Sequence, residues 1–220
     1  MARRRRLTRR DLSPGSLDLA PALLGAVVVH VTAQGRVGVR LTEVEAYTSG
    51  DDPGSHAFRG RTPRTAVMFG PPGHLYVYFT YGMHWCANVV CGPDGEASAV
   101  LLRAGEVVEG LDLARSRRPS ARKDVDLARG PARLATALGI AKAEDGADLC
   151  ATDGALRLDA GEPYDPARLR TGPRVGVAGA GGDPVAFPWR FWLDGDPTVS
   201  TFRPGTTRRR GIASPSTGGV

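Results

Sequence analysis

The residues able to do chemistry crowd into the stretch from Val37 to Arg103. VEAYTSGDDPGSH, residues 44–56, with Glu43 just before it, brings together two glutamates (Glu43, Glu45), a phenol (Tyr47) and an imidazole (His56). About twenty residues on, GHLYVYFTYGMHWCANVV (73–90) sets Tyr76, Tyr78, Phe79, Tyr81 and Trp85 within ten positions, in a chain that is only 6% aromatic. A positioned carboxylate can deprotonate a water. Aromatic faces can grip a planar ring. Arg59, Arg61 and Arg64, spaced among glycine, threonine and proline, can grip phosphates, although a solvated charged loop has the same spacing.

The elements that must hold these groups are legible in outline. Leu17, Ala20, Leu23 and Leu24 recur at helical spacing and Gly25 stops the run, which predicts a short helix within 11–25. VVVHVT (27–32) and RVGVRLTEVEAY (36–47) read as two strands joined at Ala33-Gln34-Gly35. Strict alternation places Val37, Val39 and Leu41 on one face and carries Glu43 and Glu45 onto the far end of that same face. A carboxylate there is costly to bury unless partnered, which makes it a site candidate, with a salt-bridged strand end as the competing reading. Residues 48–73 are a long Gly/Pro-punctuated loop, a length that usually carries function. HLYVYFTY (74–81), HWCANVVC (84–91) and SAVLLRA (98–104) are strands, with Tyr76, Tyr78 and Thr80 opposite Leu75, Val77, Phe79 and Tyr81. Asn88, polar in an apolar strand, calls for a specific hydrogen bond. Helices are expected over 106–118 and from Gly130-Pro131 to Gly139, strands over 155–159, 174–179 and 198–202, and an aromatic anchor at 188–193.

The 220 residues, 41% hydrophobic and 24% charged, are ordinary for one globular domain. No apolar run approaches the ~20 residues of a membrane span. The net charge of +6 resides in the ends. Nine of the 29 basic residues are Arg3, Arg4, Arg5, Arg6, Arg9, Arg10, Arg208, Arg209 and Arg210, leaving 20 basic against 23 acidic residues elsewhere. Such tails can attract phosphates or simply be solvated ends. The expected organisation is a loose basic tail at 1–10, one domain over 11–203 and a loose tail over 204–220. Three cysteines without a CxxC pair, and four histidines without HxxxH spacing, point to a reducing cytoplasm and to no metal site.

GxSxG, GxGxxG and GxxxxGK[ST] are absent, so neither a serine nucleophile nor a nucleotide cofactor is implied. A carboxylate base, stacked aromatics and a basic loop are what an enzyme needs to extract a nucleobase from duplex DNA and hydrolyse it off the sugar. A wedge side chain would fill the gap. With no lysine near the aromatic cluster, such an enzyme would release the base and leave the strand intact.

LAPALLG, TEVEAY, SHAFRGRTPRTAVMFGPPGHLYVYFTYGMHWCANVV, AVLLRAGEVVEGL and GPARLATALGI, in this order over residues 17–202, closely resemble the alkyladenine (3-methyladenine, N-methylpurine) DNA glycosylase family. The resemblance implies a single mixed α+β domain: a curved antiparallel sheet, flanking helices and a protruding, DNA-intercalating hairpin. It implies Glu45 as general base, with Arg103 and the Val175 carbonyl helping it hold the attacking water. Tyr47 and Tyr78 would sandwich the flipped base, His56 would contact it, and Asn88 would clash with the exocyclic amine of guanine. Tyr81 would be the intercalating wedge, and Thr62, Arg64 and Met68 would lie on the DNA backbone. The implied partner is double-stranded DNA containing damaged purines, met by a monomer in the bacterial cytoplasm and at the nucleoid, without cofactor, metal or membrane. Glu43 is expected to be structural, orienting Arg103. Two other readings stay open: a non-catalytic damaged-DNA binding module, which would not need the intact Glu45, and a small-molecule hydrolase, which would leave Tyr81 and the arginine loop idle.

Overall fold

The computed structural model describes residues 4–80 and 82–206. Among these residues, three α-helices flank one eight-stranded antiparallel sheet: α1 (Ser16–Leu23), α2 (Leu111–Arg117) and α3 (Pro131–Leu138). The strands are β1 (Val27–Thr32), β2 (Gly35–Tyr47), β3 (Leu75–Thr80), β4 (His84–Val90), β5 (Ala99–Glu109), β6 (Leu156–Asp159), β7 (Leu169–Gly172) and β8 (Arg190–Leu193). The main order is β3-β4-β5-β2-β1-β6, and β8 joins β2 to β7. This is the mixed α+β fold that the sequence implies.

The 13-residue β2 is the spine. One edge pairs with β5 from Gly38 to Tyr47; the other pairs first with β1 and then, at Glu43–Glu45, with β8. The apolar face of the sheet buries Val37, Val39, Leu41, Leu75, Val77, Ala87, Val89, Val100 and Leu102 against Leu19 and Leu23 of α1 and Leu134 and Leu138 of α3. Burial at about 25 cal/mol per Å² makes this continuous apolar layer the chief driving force for folding.

Alternation does not run through β2. Leu41 pairs with Gly105, Glu43 with Ala104 and Val44 with Leu102, so Thr42 and then Arg103 are extra residues in their ladders. Bulges of this kind re-aim the following side chains. Val44 and Ala46 therefore continue the core face of Val37, Val39 and Leu41. Glu43 and Glu45 point to the opposite face, contrary to the strict period-2 expectation. Two carboxylates on the apolar face would have had no partners there. A Cβ on Gly105 would lie 2.3 Å from the Arg40 carbonyl, so the close approach at this bulge requires glycine.

Other departures are local. Residues 106–109, expected in a helix, extend β5, and α2 starts only at Leu111 after Gly110, which takes a left-handed conformation. Segment 174–179 is not a strand; the strand lies earlier, at Leu169–Gly172, and residues 198–202 carry no ladder. Residues 4–10 differ from the expected loose tail. They lie along the free edge of β6, with Leu7 N–H on the Leu158 carbonyl at 2.8 Å and Ala160 N–H on the Arg5 carbonyl at 2.7 Å. An edge strand offers unpaired backbone groups, and this segment takes them. Tyr81, and residues 207–220 of the expected C-terminal tail, lie outside the described residues.

Candidate active site

On the side of the sheet opposite the main core, a cleft of about 460 Å³ opens over the C-terminal end of β2, β3, β4 and β5. Its walls include Glu45 and Tyr47 from β2, His56 from the long loop, Tyr76 and Tyr78 from β3, Asn88 from β4, Arg103 from β5 and the loop Val175–Ala178. Alternation on β3 and β4 sorts these residues. Leu75, Val77, Ala87 and Val89 enter the core, so Tyr76, Tyr78, Cys86 and Asn88 must face the cleft.

Glu45 is fully buried as a residue yet borders the cleft. Its Oε1 accepts the Val175 N–H at 2.7 Å and faces Arg103 Nη1 at 3.4 Å. Its Oε2 accepts the Tyr47 hydroxyl at 2.9 Å. Glu43, two residues earlier, accepts Arg103 Nε at 2.9 Å, Arg190 Nε at 2.6 Å, and both the N–H (2.7 Å) and the hydroxyl (3.0 Å) of Ser200. Arg103 thus stands between the two carboxylates. Burial would lower its pKa, but Glu45 and Glu43 outweigh burial and raise it, so it stays charged.

The aromatic wall is preset. Burial, reinforced by the neighbouring Glu45, pushes the Tyr47 phenol well above its ordinary value, so it remains a proton donor. Burial does the same to Tyr78. Tyr76 and Tyr78 stack at 5.7 Å, and the His56 ring meets Tyr78 edge-on at 4.6 Å. His56 Nδ1 shares a 3.2 Å hydrogen bond with the Tyr76 hydroxyl. Burial, then the Arg64 charge, lowers the His56 pKa and keeps the ring neutral at pH 7. Asn88 donates to the Tyr76 carbonyl at 3.2 Å, which fixes its amide toward the cleft wall.

A planar ring slipped between tyrosines can be stacked there, while a carboxylate held by fixed donors can activate a water against the carbon to which the ring is attached. The model of the methylpurine-DNA glycosylase (MPG) family matches residues 11–197. A Streptomyces avermitilis protein is 60% identical over 205 residues, covering 93% of this chain and 95% of its own. A Leifsonia xyli protein is 60% identical over 193 residues (86% and 88%), and one from Nocardia farcinica 54% over 190 (84% and 85%). All three carry the name "Putative 3-methyladenine DNA glycosylase". The chain belongs to the methylpurine-DNA glycosylase family.

Of the site residues expected for such a glycosylase, Glu45, Tyr47, His56, Met68, Tyr78, Asn88, Arg103 and Val175 all line one cleft. Val175 meets Glu45 through its N–H, where its carbonyl was the expected participant. Met68 lines the cleft but is only 2% exposed and packs with Tyr76. Thr62 and Arg64 lie outside the cleft lining. Thr62 exchanges hydrogen bonds with Thr65, and the exposed Arg64 guanidinium stands 5.9 Å from the Tyr78 ring centre. The expected wedge, Tyr81, is outside the described residues.

Sequence reasoning passed over Asp52 and Arg174. They form a fully buried ion pair across 122 positions of sequence. No local signal announces a partner at that separation; only an aspartate in a loop too rich in turns to need burial, and an arginine in an apolar run, hinted at it.

Proposed function

We propose that the protein is a monofunctional DNA glycosylase that hydrolyses damaged purines from duplex DNA. Family membership and the relatives' names support the coarse reading, a hydrolase of N-glycosyl bonds in DNA. The finer reading is carried by one observation: Glu45 is wholly buried in the sheet, yet its carboxylate borders a cleft walled by Tyr47 and Tyr78.

A damaged purine is flipped out and stacked between Tyr47 and Tyr78, with Tyr81 filling the vacated space. Glu45 accepts a proton from a water while that oxygen bonds to C1′ of the sugar. The C1′–N bond breaks and its electron pair leaves with the base. A cationic base such as 3-methyladenine departs neutral. Hypoxanthine must gain a proton as it departs. Asn88 excludes guanine by meeting its exocyclic amine, and neutral His56 contacts the flipped nucleotide. Thr62, Arg64 and Met68 belong to the loop that approaches the DNA backbone. The only two lysines, Lys123 and Lys142, lie outside the cleft lining, so no lysine there is placed to form an imine and cut the strand. The protein acts as a monomer in the cytoplasm, at the nucleoid; among the described residues no helix is long and apolar enough to cross a membrane.

The test is single-turnover base release from duplex oligonucleotides carrying hypoxanthine or 1,N6-ethenoadenine, with alkali to reveal abasic sites. Release by the wild type and its loss in Glu45→Gln, with DNA binding retained, is expected. Binding without release from any alkylated or deaminated purine would leave a damage-binding module instead. Release that survives Glu45→Gln would overturn the assigned base.

A further inference from the structure

Beside the cleft, one side chain ties together three segments that supply proposed site residues: the end of β2, the turn that leads to His56, and the loop that carries Val175. Arg174 is fully buried. Its Nη1 donates to the Ala46 carbonyl at 3.1 Å and to Asp52 Oδ2 at 2.7 Å; its Nη2 donates to Asp52 Oδ1 at 2.6 Å and to the Gly181 carbonyl at 2.7 Å. The guanidinium stands 4.5 Å from the centre of the Tyr47 ring, and within 5.5 Å of Trp189 and Phe187. Asp52 in turn accepts the Thr48 N–H (3.2 Å) and the Gly54 N–H (3.0 Å).

These contacts join three pieces of chain. Ala46 lies between Glu45 and Tyr47 on β2. Asp52 ties down the turn that leads to His56. Arg174 itself precedes Val175, whose N–H holds Glu45. Packing leaves no slack: a Cβ on Gly54 would lie 2.4 Å from Arg174 Nη2, and one on Gly181 would lie 2.3 Å from the Gly54 nitrogen. Arg174 Nε is buried without a hydrogen-bond partner among the described residues. Leaving a buried donor unpaired costs stability, and an apolar side chain of similar volume would avoid that cost. The arrangement therefore serves geometry at the expense of stability.

The geometry points to Arg174, held by Asp52, as a positioning residue for base release: its planar fork sets the spacing between the Tyr47 ring, the Glu45 carboxylate and the Val175 N–H. This rests on the reading of Glu45 as the base. Arginine is required because only a rigid five-donor fork reaches a carboxylate in two places and two carbonyls at once; lysine supplies the charge without the fork. A displacement of about 1 Å in such a constellation costs about 100-fold in rate.

The experiment compares wild type, Arg174→Lys and Gly54→Ala in single-turnover release of ethenoadenine, across enzyme concentration, alongside thermal unfolding and titration of the fraction able to bind lesion duplex. Gly54→Ala displaces the fork without changing any charge. For both variants the maximal rate per binding-competent molecule should fall by about 10- to 100-fold. The half-saturating concentration should change by less than about threefold, because phosphate contacts, which dominate affinity, are untouched. Wild-type maximal rates in both variants, or losses that merely follow the unfolded fraction, would overturn the positioning role. Failure of the underlying reading shows separately, as no release by the wild type, and would overturn both.

Discussion

Glu43 and Glu45 lie two residues apart on one strand, on one face, both without solvent exposure, and both against Arg103. Their surroundings nevertheless give them different work. An ionised carboxylate has about four acceptor positions. Around Glu43 four protein donors converge, two of them guanidinium nitrogens, and the residue does not border the cleft. Around Glu45 there are two short hydrogen bonds and one more distant arginine, and the residue opens on the cleft. A saturated carboxylate is a structural knot, tying β2, β5, β8 and Ser200 together. Glu45, in the same strand, has fewer donors among the described residues and opens on the cleft, where the proposed mechanism would put its water. Coordination, more than residue type or burial, separates structure from chemistry here.

That contrast can be broken in order of expected effect. Glu45→Gln should lower base release by at least about 100-fold, the usual worth of a general base, while the fold persists because the only guanidinium facing Glu45 among the described residues, Arg103 at 3.4 Å, keeps Glu43 as its counter-charge. Chemical quench of single turnovers measures it, and unchanged far-ultraviolet circular dichroism checks the fold. Glu43→Gln should reverse the pattern. Arg103 and Arg190 lose their shared counter-charge in the interior, which costs about 3–5 kcal/mol of stability. Urea unfolding reads this as a lower midpoint, and an unchanged midpoint would remove the knot from the account.

Tyr47→Phe keeps the stacking ring but deletes the donor to Glu45 Oε2. A hydrogen bond to a charged group is worth about 1.5–3 kcal/mol, so release should slow about tenfold or more, with lesion binding retained. The smallest effect concerns His56. Its folded pKa lies below the ordinary 6.5, so the unfolded chain takes up the proton first. Its contribution is constant at neutral pH and above. As pH falls from about 6.5 through the lower folded value, stability declines, and His56→Gln should flatten the stability–pH curve in that window only. Proton-detected titration of the ring gives the folded value directly.

Much of this was legible in the chain. The strands around the site stand where alternation put them, because Leu75/Val77 against Tyr76/Tyr78 is a period-2 pattern with one apolar face, and register is strict wherever a face is buried. Eight of the expected site residues share one cleft because they are spread over neighbouring strands and their connecting loops. What misled was local: the same alternation applied to β2 predicts the wrong face for Glu43 and Glu45. The bulges at Thr42 and Arg103 depend on the β5 partner, which no window of β2 contains. The helix expected at 106–118 forms only from Leu111 to Arg117, and its first turn is lost for the same reason, since pairing with Gly38–Leu41 holds Gly105–Glu109 extended.

The sequence by itself determined the family, the core faces of β3 and β4, and the residue types available for chemistry, since composition, periodicity and motif are local properties. Only the tertiary structure decided which glutamate meets the cleft, which is locked by arginines, and that Arg174 and Asp52, 122 positions apart, close the loops around it. Those outcomes depend on how buried charges are satisfied, and a buried charge finds its partners in space, across strands and loops that only folding brings together.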